Sequence, residues 1–165
     1  MCWKVKLENL LDIAQGLKDI HEKNLIHRDF HSGNILNNNK IHYITDLGFC
    51  QPANKLNDKK EVFGVLPYVA PEVLRGNEYT KESDIYGFGI VAYEFMTGLL
   101  PYNDVAHEEL LAIRICEGLR PSSNYKVPQK ILDVIQQCWD ADPAKRPDAK
   151  ELQKILKDLN DIQTN

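Results

Sequence analysis

The chain has 165 residues, of which 43% are hydrophobic and 27% charged, and this size and balance suit one globular domain. Its net charge of -4, with lysines and arginines scattered along the chain, argues against a nucleic-acid partner. No apolar run approaches the roughly 18 residues of a membrane-spanning helix, so we expect no membrane segment and a cytoplasmic location. The four cysteines form no CxxC pair, which argues against a zinc or redox site.

Hydrophobic spacing predicts an amphipathic helix over residues 5–23, at the start of the chain. The mixture of apolar residues with His, Asp, Asn and Gly over residues 25–36 predicts a polar loop carried on short strands. Three asparagines at 37–39 predict a turn, and the alternation of Ile41, Tyr43 and Thr45 with their neighbours predicts a strand. Together these features indicate a small β-hairpin.

The rest of the chain is predicted to be helical after one irregular stretch. Residues 47–69 show no sustained period, and a loop of about 20 residues inside a compact domain is usually functional or disordered. Thr80 is the predicted N-cap of a helix that is apolar all round from Ile85 to Met96, and Gly98 fits its end. Further helices are predicted at 104–116, 128–139 and 148–162. The expected fold class is mainly α with a small β-hairpin.

One stretch of the sequence is rich in residues that carry chemistry. It runs His27-Arg28-Asp29-Phe30-His31-Ser32-Gly33-Asn34, and it is followed by Asp46-Leu47-Gly48 and then by Ala70-Pro71-Glu72. This order and spacing resembles the protein kinases, with their HRD catalytic loop, DFG position and APE motif. The resemblance covers essentially the whole chain and is closest to the tyrosine-kinase-like group, because of Val69 before the APE and the run from Cys138-Trp139 to Arg146-Pro147.

The resemblance implies transfer of the ATP γ-phosphate to a protein hydroxyl, on Ser or Thr rather than Tyr, with ATP and Mg²⁺ as cofactors. Asp29 matches the carboxylate that accepts the proton of the substrate hydroxyl, and Arg28 and His31 lie in the same catalytic loop. Asn34 and Asp46 match the Mg²⁺ ligands, and magnesium suits few protein ligands plus phosphate oxygens. For a single aspartate, the alternative is a surface charge or a helix cap.

Other matches are expected to be structural. Glu72 and Arg146 resemble the buried ion pair that ties the end of the activation segment to the helical core. Asp84 resembles the aspartate that accepts backbone amides of the catalytic loop, and the alternative is a charge favoured by the helix dipole. His27 and Leu47 resemble core spine positions. A separate expectation places Trp139 in the core, because of its size and its place after an apolar helix face.

The largest departure from the kinase pattern is at the start of the chain. No Gly-rich loop and no lysine-bearing strand precede the catalytic loop, so we expect a kinase-like C-terminal lobe, residues 1–165, without its N-lobe. Such a chain alone is expected to bind ATP weakly or not at all, and to be inactive. The exposed surface that would face an N-lobe is then a candidate site for a partner protein, which favours a non-catalytic binding or scaffold fragment as the alternative function.

A second departure is His31, where serine/threonine kinases usually carry a lysine that reaches the γ-phosphate. Histidine as a residue type is mostly neutral at pH 7, so it would stabilise phosphate charge less than lysine. We therefore expect that His31→Lys would flatten the acid side of the pH–rate profile in a complete kinase domain. The alternative is a tolerated family variant.

The segment between Asp46 and Pro71 contains no Ser or Thr, and Tyr68 is its only hydroxyl. Phosphorylation of Ser or Thr in this segment is therefore excluded. Arg28 would ordinarily pair with such a phosphate, and a fixed carboxylate is an alternative partner, from Asp58 or Glu61. Two solvated acids are an equally good interpretation of those residues. Val65 stands where a threonine is common, which leaves the choice of substrate hydroxyl open.

Overall fold

The computed structural model describes residues 3–55, 62, 64–105 and 109–162. Within these residues the chain forms six α-helices, which make up most of its regular structure. They are α1 (Trp3–Glu22), α2 (Pro71–Leu74), α3 (Lys81–Thr97), α4 (Glu109–Cys116), α5 (Gln129–Cys138) and α6 (Ala149–Ile162). The expected mainly helical class is confirmed.

In the described part of the chain, four short strands make two antiparallel pairs. They are β1 (Leu25–Ile26), β2 (Ile35–Asn38), β3 (Ile41–Ile44) and β4 (Gln51–Pro52). The β2–β3 hairpin pairs Ile35 with Ile44, and its turn uses Asn39 and Lys40, both with positive φ. This is the predicted hairpin, although β2 extends to Asn38 and so takes in two of the asparagines expected in the turn.

Helix α3 forms the buried centre of the fold. Thr80 caps it through a reciprocal capping box with Ser83, and Gly98 ends it with a φ of 73°, as the sequence predicted. Ile85 and Ile90 are at most 1% exposed, which fits a helix with apolar residues on every side. Helix α1 lays its apolar face, which includes Leu10, against α3 and α6.

Several predicted elements differ from the structure. Where it is described, the irregular stretch 47–69 contains two 3-10 turns, Leu47–Phe49 and Leu66–Tyr68, as well as β4. Helix α2 was not predicted, because four residues are too few to show a period. Helix α4 begins at Glu109 rather than at 104, since residues 102–105 form a turn, and residues 106–108 lie outside the described part.

The two expected spine positions differ in burial. His27 is 0% exposed, whereas Leu47 is 55% exposed, so the expectation of a core position was wrong for Leu47. Asp46 adopts a left-handed φ of 55° and a 3-10 turn begins directly after it, which leaves the Leu47 side chain at the surface. Trp139 is 7% exposed and belongs to the core, as expected.

The described residues were expected to contain no membrane-spanning helix, and their cysteines to form no zinc or redox site. None of their helices is long and apolar enough to cross a membrane. Three of the cysteines are free thiols, namely Cys50, Cys116 and Cys138. Burial raises the pKa of the Cys138 thiol, which keeps it protonated and inert at neutral pH.

Candidate active site

The catalytic loop is anchored from below by Asp84, in the first turn of the buried helix α3. The backbone N–H groups of His27 and Arg28 donate to its two carboxylate oxygens, at 2.8 Å and 3.0 Å. The His21 ring nitrogen Nε2 lies 2.9 Å from the oxygen that also accepts from His27. Asp84 is 2% exposed, and these hydrogen bonds compensate for the water that its carboxylate loses on burial. The expected contact with catalytic-loop amides is therefore present.

His27 connects the catalytic loop to the segment that carries Asp46. Its Nδ1 accepts from the backbone N–H of Asp29 at 3.3 Å, so its Nε2 carries the proton and donates to the carbonyl of Thr45 at 3.0 Å. The ring also packs edge-on against Phe30, with centroids 5.8 Å apart. This buried ring holds the two chain segments of the site at a constant separation.

Asp29 and Asn34 are in direct contact. The side-chain amide of Asn34 donates to the backbone carbonyl of Asp29 at 2.9 Å and to its Oδ2 at 3.1 Å. Because the nitrogen of the amide faces Asp29, its oxygen is the atom left to accept or to bind a cation. Asn34 is 9% exposed, and its amide orientation is thus set by packing as well as by hydrogen bonding.

Asp46 follows a residue that is bonded to Asn34. The backbone N–H and the hydroxyl of Thr45 both donate to the carbonyl of Asn34, at 2.8 Å and 3.0 Å. The Asp46 side chain is exposed and does not cap the turn that follows it. One carboxylate and one amide oxygen are hard ligands of the kind that Mg²⁺ prefers, so the donor set fits this ion.

The segment before the APE motif closes over Asp29. A Cβ atom on Gly64 would lie 3.2 Å from the Asp29 Oδ1, and the φ of Gly64 is 99°, so both space and backbone favour glycine there. Val65 is 44% exposed beside it. The approach leaves the Asp29 side chain only 13% exposed.

Tyr68 joins three parts of the site. Its hydroxyl donates to Glu94 of α3 at 2.7 Å and lies 3.1 Å from the hydroxyl of Ser32 in the catalytic loop. Burial raises the pKa of Tyr68, so the phenol remains neutral at physiological pH. The only hydroxyl between Asp46 and Pro71 is therefore occupied by internal contacts.

Arg28 is buried beside an aromatic ring of the segment that precedes α3. Arg28 is 6% exposed, and its guanidinium lies 5.1 Å from the centre of the Tyr79 ring. The two loop acids suggested as partners for Arg28, Asp58 and Glu61, lie outside the described residues. Their pairing stays a prediction.

Glu72 and Arg146 form the expected ion pair, which joins residues 74 positions apart in the sequence. Two guanidinium nitrogens donate to the two Glu72 oxygens at 2.6 Å and 2.9 Å. Arg146 also donates to the carbonyls of Asp140 and Glu82, each at 2.9 Å. Both side chains are buried, with all the polar atoms of the contact satisfied by partners rather than by water.

Two residues of the site were missed from the sequence. His21 lies four positions after Leu17 on the buried face of α1, and that spacing was a signal that its ring points inward. Glu94 lies on a helix that is apolar almost throughout, and its contact with Tyr68 had no local signal because 26 residues separate the two. Both act here through buried hydrogen bonds.

Substitution of Asp84 separates its two interpretations, an acceptor for catalytic-loop amides and a charge favoured by the helix dipole. Asp84→Asn is expected to lower the free energy of unfolding by about 2–4 kcal/mol, because an amide nitrogen would face backbone N–H groups that then lack an acceptor. The matched control is Glu82→Gln, an exposed acid in the same helical turn, with an expected loss of about 0.3–1 kcal/mol. Urea denaturation of both variants measures the difference. Equal losses would mean that the helix dipole alone explains the acid at position 84.

Comparison with known proteins gives consistent similarities. A family model described as protein tyrosine and serine/threonine kinase matches residues 1–156. A protein kinase and PP2C-like domain-containing protein of Arabidopsis thaliana is 33% identical, with 83% of this chain aligned to 26% of that protein. A probable serine/threonine-protein kinase of Dictyostelium discoideum is also 33% identical, with 90% of this chain aligned to 16% of that protein. A serine/threonine/tyrosine-protein kinase of Arabidopsis thaliana is 30% identical over 88% of this chain and 38% of its own length. The chain thus spans well under half of each of these relatives.

Proposed function

The chain belongs to the protein tyrosine and serine/threonine kinase family, and on that premise we propose that it is the part of a kinase domain that carries the catalytic loop. Membership makes it a protein kinase phosphotransferase by family, as the motifs indicated. The plant and Dictyostelium relatives agree with the tyrosine-kinase-like group. The activity of the whole protein, its substrates and its partners remain proposals, because the chain spans only part of its relatives.

The observation that carries the proposal is the grouping of Asp29, Asn34 and Asp46. Asn34 bonds to Asp29 through its side chain, and its carbonyl bonds to Thr45, the residue before Asp46. This grouping supports one carboxylate for proton transfer and two oxygen ligands for a cation. Phosphoryl transfer needs little more covalent chemistry from a protein, since positioning and charge neutralisation dominate.

The residues of the chain have distinct proposed roles. Asp29 accepts the proton of the substrate hydroxyl as the hydroxyl attacks the γ-phosphorus, and the bond to the β-phosphate oxygen then breaks. Asn34 keeps the carboxylate oriented by donating to Oδ2. Asn34 and Asp46 would hold Mg²⁺, which supplies positive charge to the phosphate oxygens. The Glu72–Arg146 pair and the Asp84 contacts hold these segments in place.

The substrate hydroxyl is proposed to be on Ser or Thr of a protein, and ATP is proposed as the phosphate donor. The Dictyostelium relative is named as a probable serine/threonine-protein kinase, which supports this choice. One Arabidopsis relative is named as acting on tyrosine as well, so the choice needs a direct test. Val65 follows Gly64, whose backbone lies close to Asp29. We propose that Val65 influences whether the substrate hydroxyl is on Ser, Thr or Tyr.

A non-catalytic binding role is the second candidate, and one observation favours it. Five apolar side chains on the hairpin and the turn after Asp46 are 42–56% exposed, namely Leu36, Ile41, Tyr43, Leu47 and Phe49. Exposed apolar surface of this kind is typical of a site covered by another protein or domain. A cytoplasmic location is also proposed, and the three free thiols support it.

A phosphotransfer assay separates the two functions. The chain is assayed alone and joined behind the N-terminal kinase lobe of an Arabidopsis relative, with Mg-ATP and a mixed protein substrate. We expect the chain alone to bind Mg-ATP weakly and the joined protein to label Ser and Thr, with Asp29→Asn as the inactive control. Binding of Mg-ATP by the joined protein without transfer above that control would favour the binding role. Micromolar Mg-ATP affinity of the chain alone would contradict the expected weak binding.

A further inference from the structure

The imidazole of His31 makes two contacts that face opposite ways. Its Nδ1 accepts the backbone N–H of Gly33 at 3.1 Å, a contact that also caps the 3-10 turn Ser32–Asn34. Its Nε2 lies 3.4 Å from the Oδ1 of Asp29. The second distance is too long for a short hydrogen bond, but it is well within electrostatic contact. The ring thus lies between a backbone donor and the proposed catalytic carboxylate.

These two contacts define the tautomer of the ring. In a neutral imidazole one nitrogen carries the proton and the other accepts. Because Nδ1 accepts from Gly33, the proton resides on Nε2 and faces the Asp29 carboxylate. An N–H group then lies near each oxygen of Asp29, since Asn34 donates to Oδ2 and His31 Nε2 is 3.4 Å from Oδ1. The neutral ring can orient the carboxylate without placing a full charge beside it.

The position of the ring depends on residue 33 having no side chain. A Cβ atom at position 33 would lie 2.8 Å from the His31 Cε1 and 2.9 Å from its Nδ1. Side-chain atoms are not found that close, so any other residue there would push the ring away from its present position. The backbone of Gly33 does not have a positive φ, and the need for glycine therefore comes from the ring alone.

The neighbouring Tyr68 is neutral, and its hydroxyl is committed to another contact. The Tyr68 ring lies 5.9 Å from the His31 ring, and its hydroxyl donates to Glu94. Burial raises the pKa of Tyr68, so it does not titrate in the range where imidazoles do. Asp29 is thus the charged group that faces His31 directly.

We propose that His31 is a positioning residue for Asp29, held as the Nε2–H tautomer by the backbone N–H of Gly33, and that residue 33 is glycine to allow this. The proposal rests on the proposed function only for the role of Asp29. The lysine usual at this position is expected to reach the γ-phosphate, whereas His31 contacts the Asp29 carboxylate.

Nitrogen NMR of the ¹⁵N-histidine-labelled chain tests the tautomer without any need for activity. We expect the Nε2–H form of His31 in about tenfold excess, the ratio that one typical hydrogen bond supports. His31→Ala assigns the signal by its disappearance. The Nδ1–H form as the major species, or equal amounts of both, would overturn the proposal.

The coupling between positions 31 and 33 is tested by a double-mutant cycle read at the Asp29 carboxyl carbon. Gly33→Ala is expected to shift this ¹³C signal as His31→Ala does, and the double variant is expected to add no further shift. Gly48→Ala is the matched glycine control and should leave the His31 ring signal unchanged. A Cβ atom at Gly48 would lie 3.4 Å from the Asp46 Oδ1, an ordinary contact distance. Independent, additive shifts would show that the two residues do not act together.

The Gly33 amide provides the third measurement. In His31→Ala its proton is expected to exchange with solvent faster than in the wild-type chain, because it loses its acceptor. An unchanged exchange rate would overturn the proposal. Failure here leaves the kinase proposal standing, and a chain without phosphotransfer activity leaves these NMR results fully informative.

Discussion

Arg146→Met is expected to lower the free energy of unfolding by about 3–5 kcal/mol, because it leaves the buried carboxylate of Glu72 without its partner. The guanidinium also satisfies the carbonyls of Asp140 and Glu82, which would lose their donor in the variant. Methionine fills most of the volume, so the loss reports charge and hydrogen bonding rather than a cavity. Urea denaturation monitored by tryptophan fluorescence measures the change, and the dependence of the unfolding free energy on urea concentration should stay the same.

The double variant Arg146→Met/Glu72→Met separates the pair from its surroundings. It removes both charges and is expected to recover part of the lost stability, because two apolar side chains can be buried without the desolvation penalty of an unpaired charge. The partly exposed pair Lys18–Glu22, at 3.4 Å on α1, is the matched control, and Lys18→Met there should cost no more than about 0.5 kcal/mol. A loss below 1 kcal/mol for Arg146→Met would mean that water reaches the pair and that it does not anchor the segment after the APE motif.

Asp29→Asn is expected to lower the phosphotransfer rate of the joined kinase domain by about 10²–10⁴-fold, the usual contribution of a general base. The amide cannot accept a proton from the substrate hydroxyl at neutral pH. Its shape is conserved, and its oxygen can still accept from Asn34, so the loop should retain its conformation. The rate is measured with saturating Mg-ATP, which separates the chemical step from nucleotide binding.

Two controls make this result decisive. Mg-ATP affinity should change little in Asp29→Asn, because Asn34 and Asp46 are the proposed metal ligands. Asp19→Asn, an exposed acid on α1, should leave the rate unchanged. A rate reduced less than threefold by Asp29→Asn would remove Asp29 from the chemistry, and with it the proposed role of His31.

Much of the fold could be predicted because its signals are local. The Thr80 cap, the apolar helix after it and the Gly98 end all depend on residues within one or two helical turns, and the structure confirms them. The β2–β3 hairpin follows from alternation and a turn of polar residues. Where length was too short for a period, as in α2 and the 3-10 turns of residues 47–69, the local signal was insufficient.

By itself, the sequence determined the family and the proposed site residues: the order and spacing of Asp29, Asn34 and Asp46 indicated both. Only the tertiary structure decided how side chains distant in sequence meet, as with Asp84 and His27, 57 residues apart, and whether Leu47 is covered. Local propensity acts over a few residues, whereas burial and long-range hydrogen bonds depend on how whole helices pack.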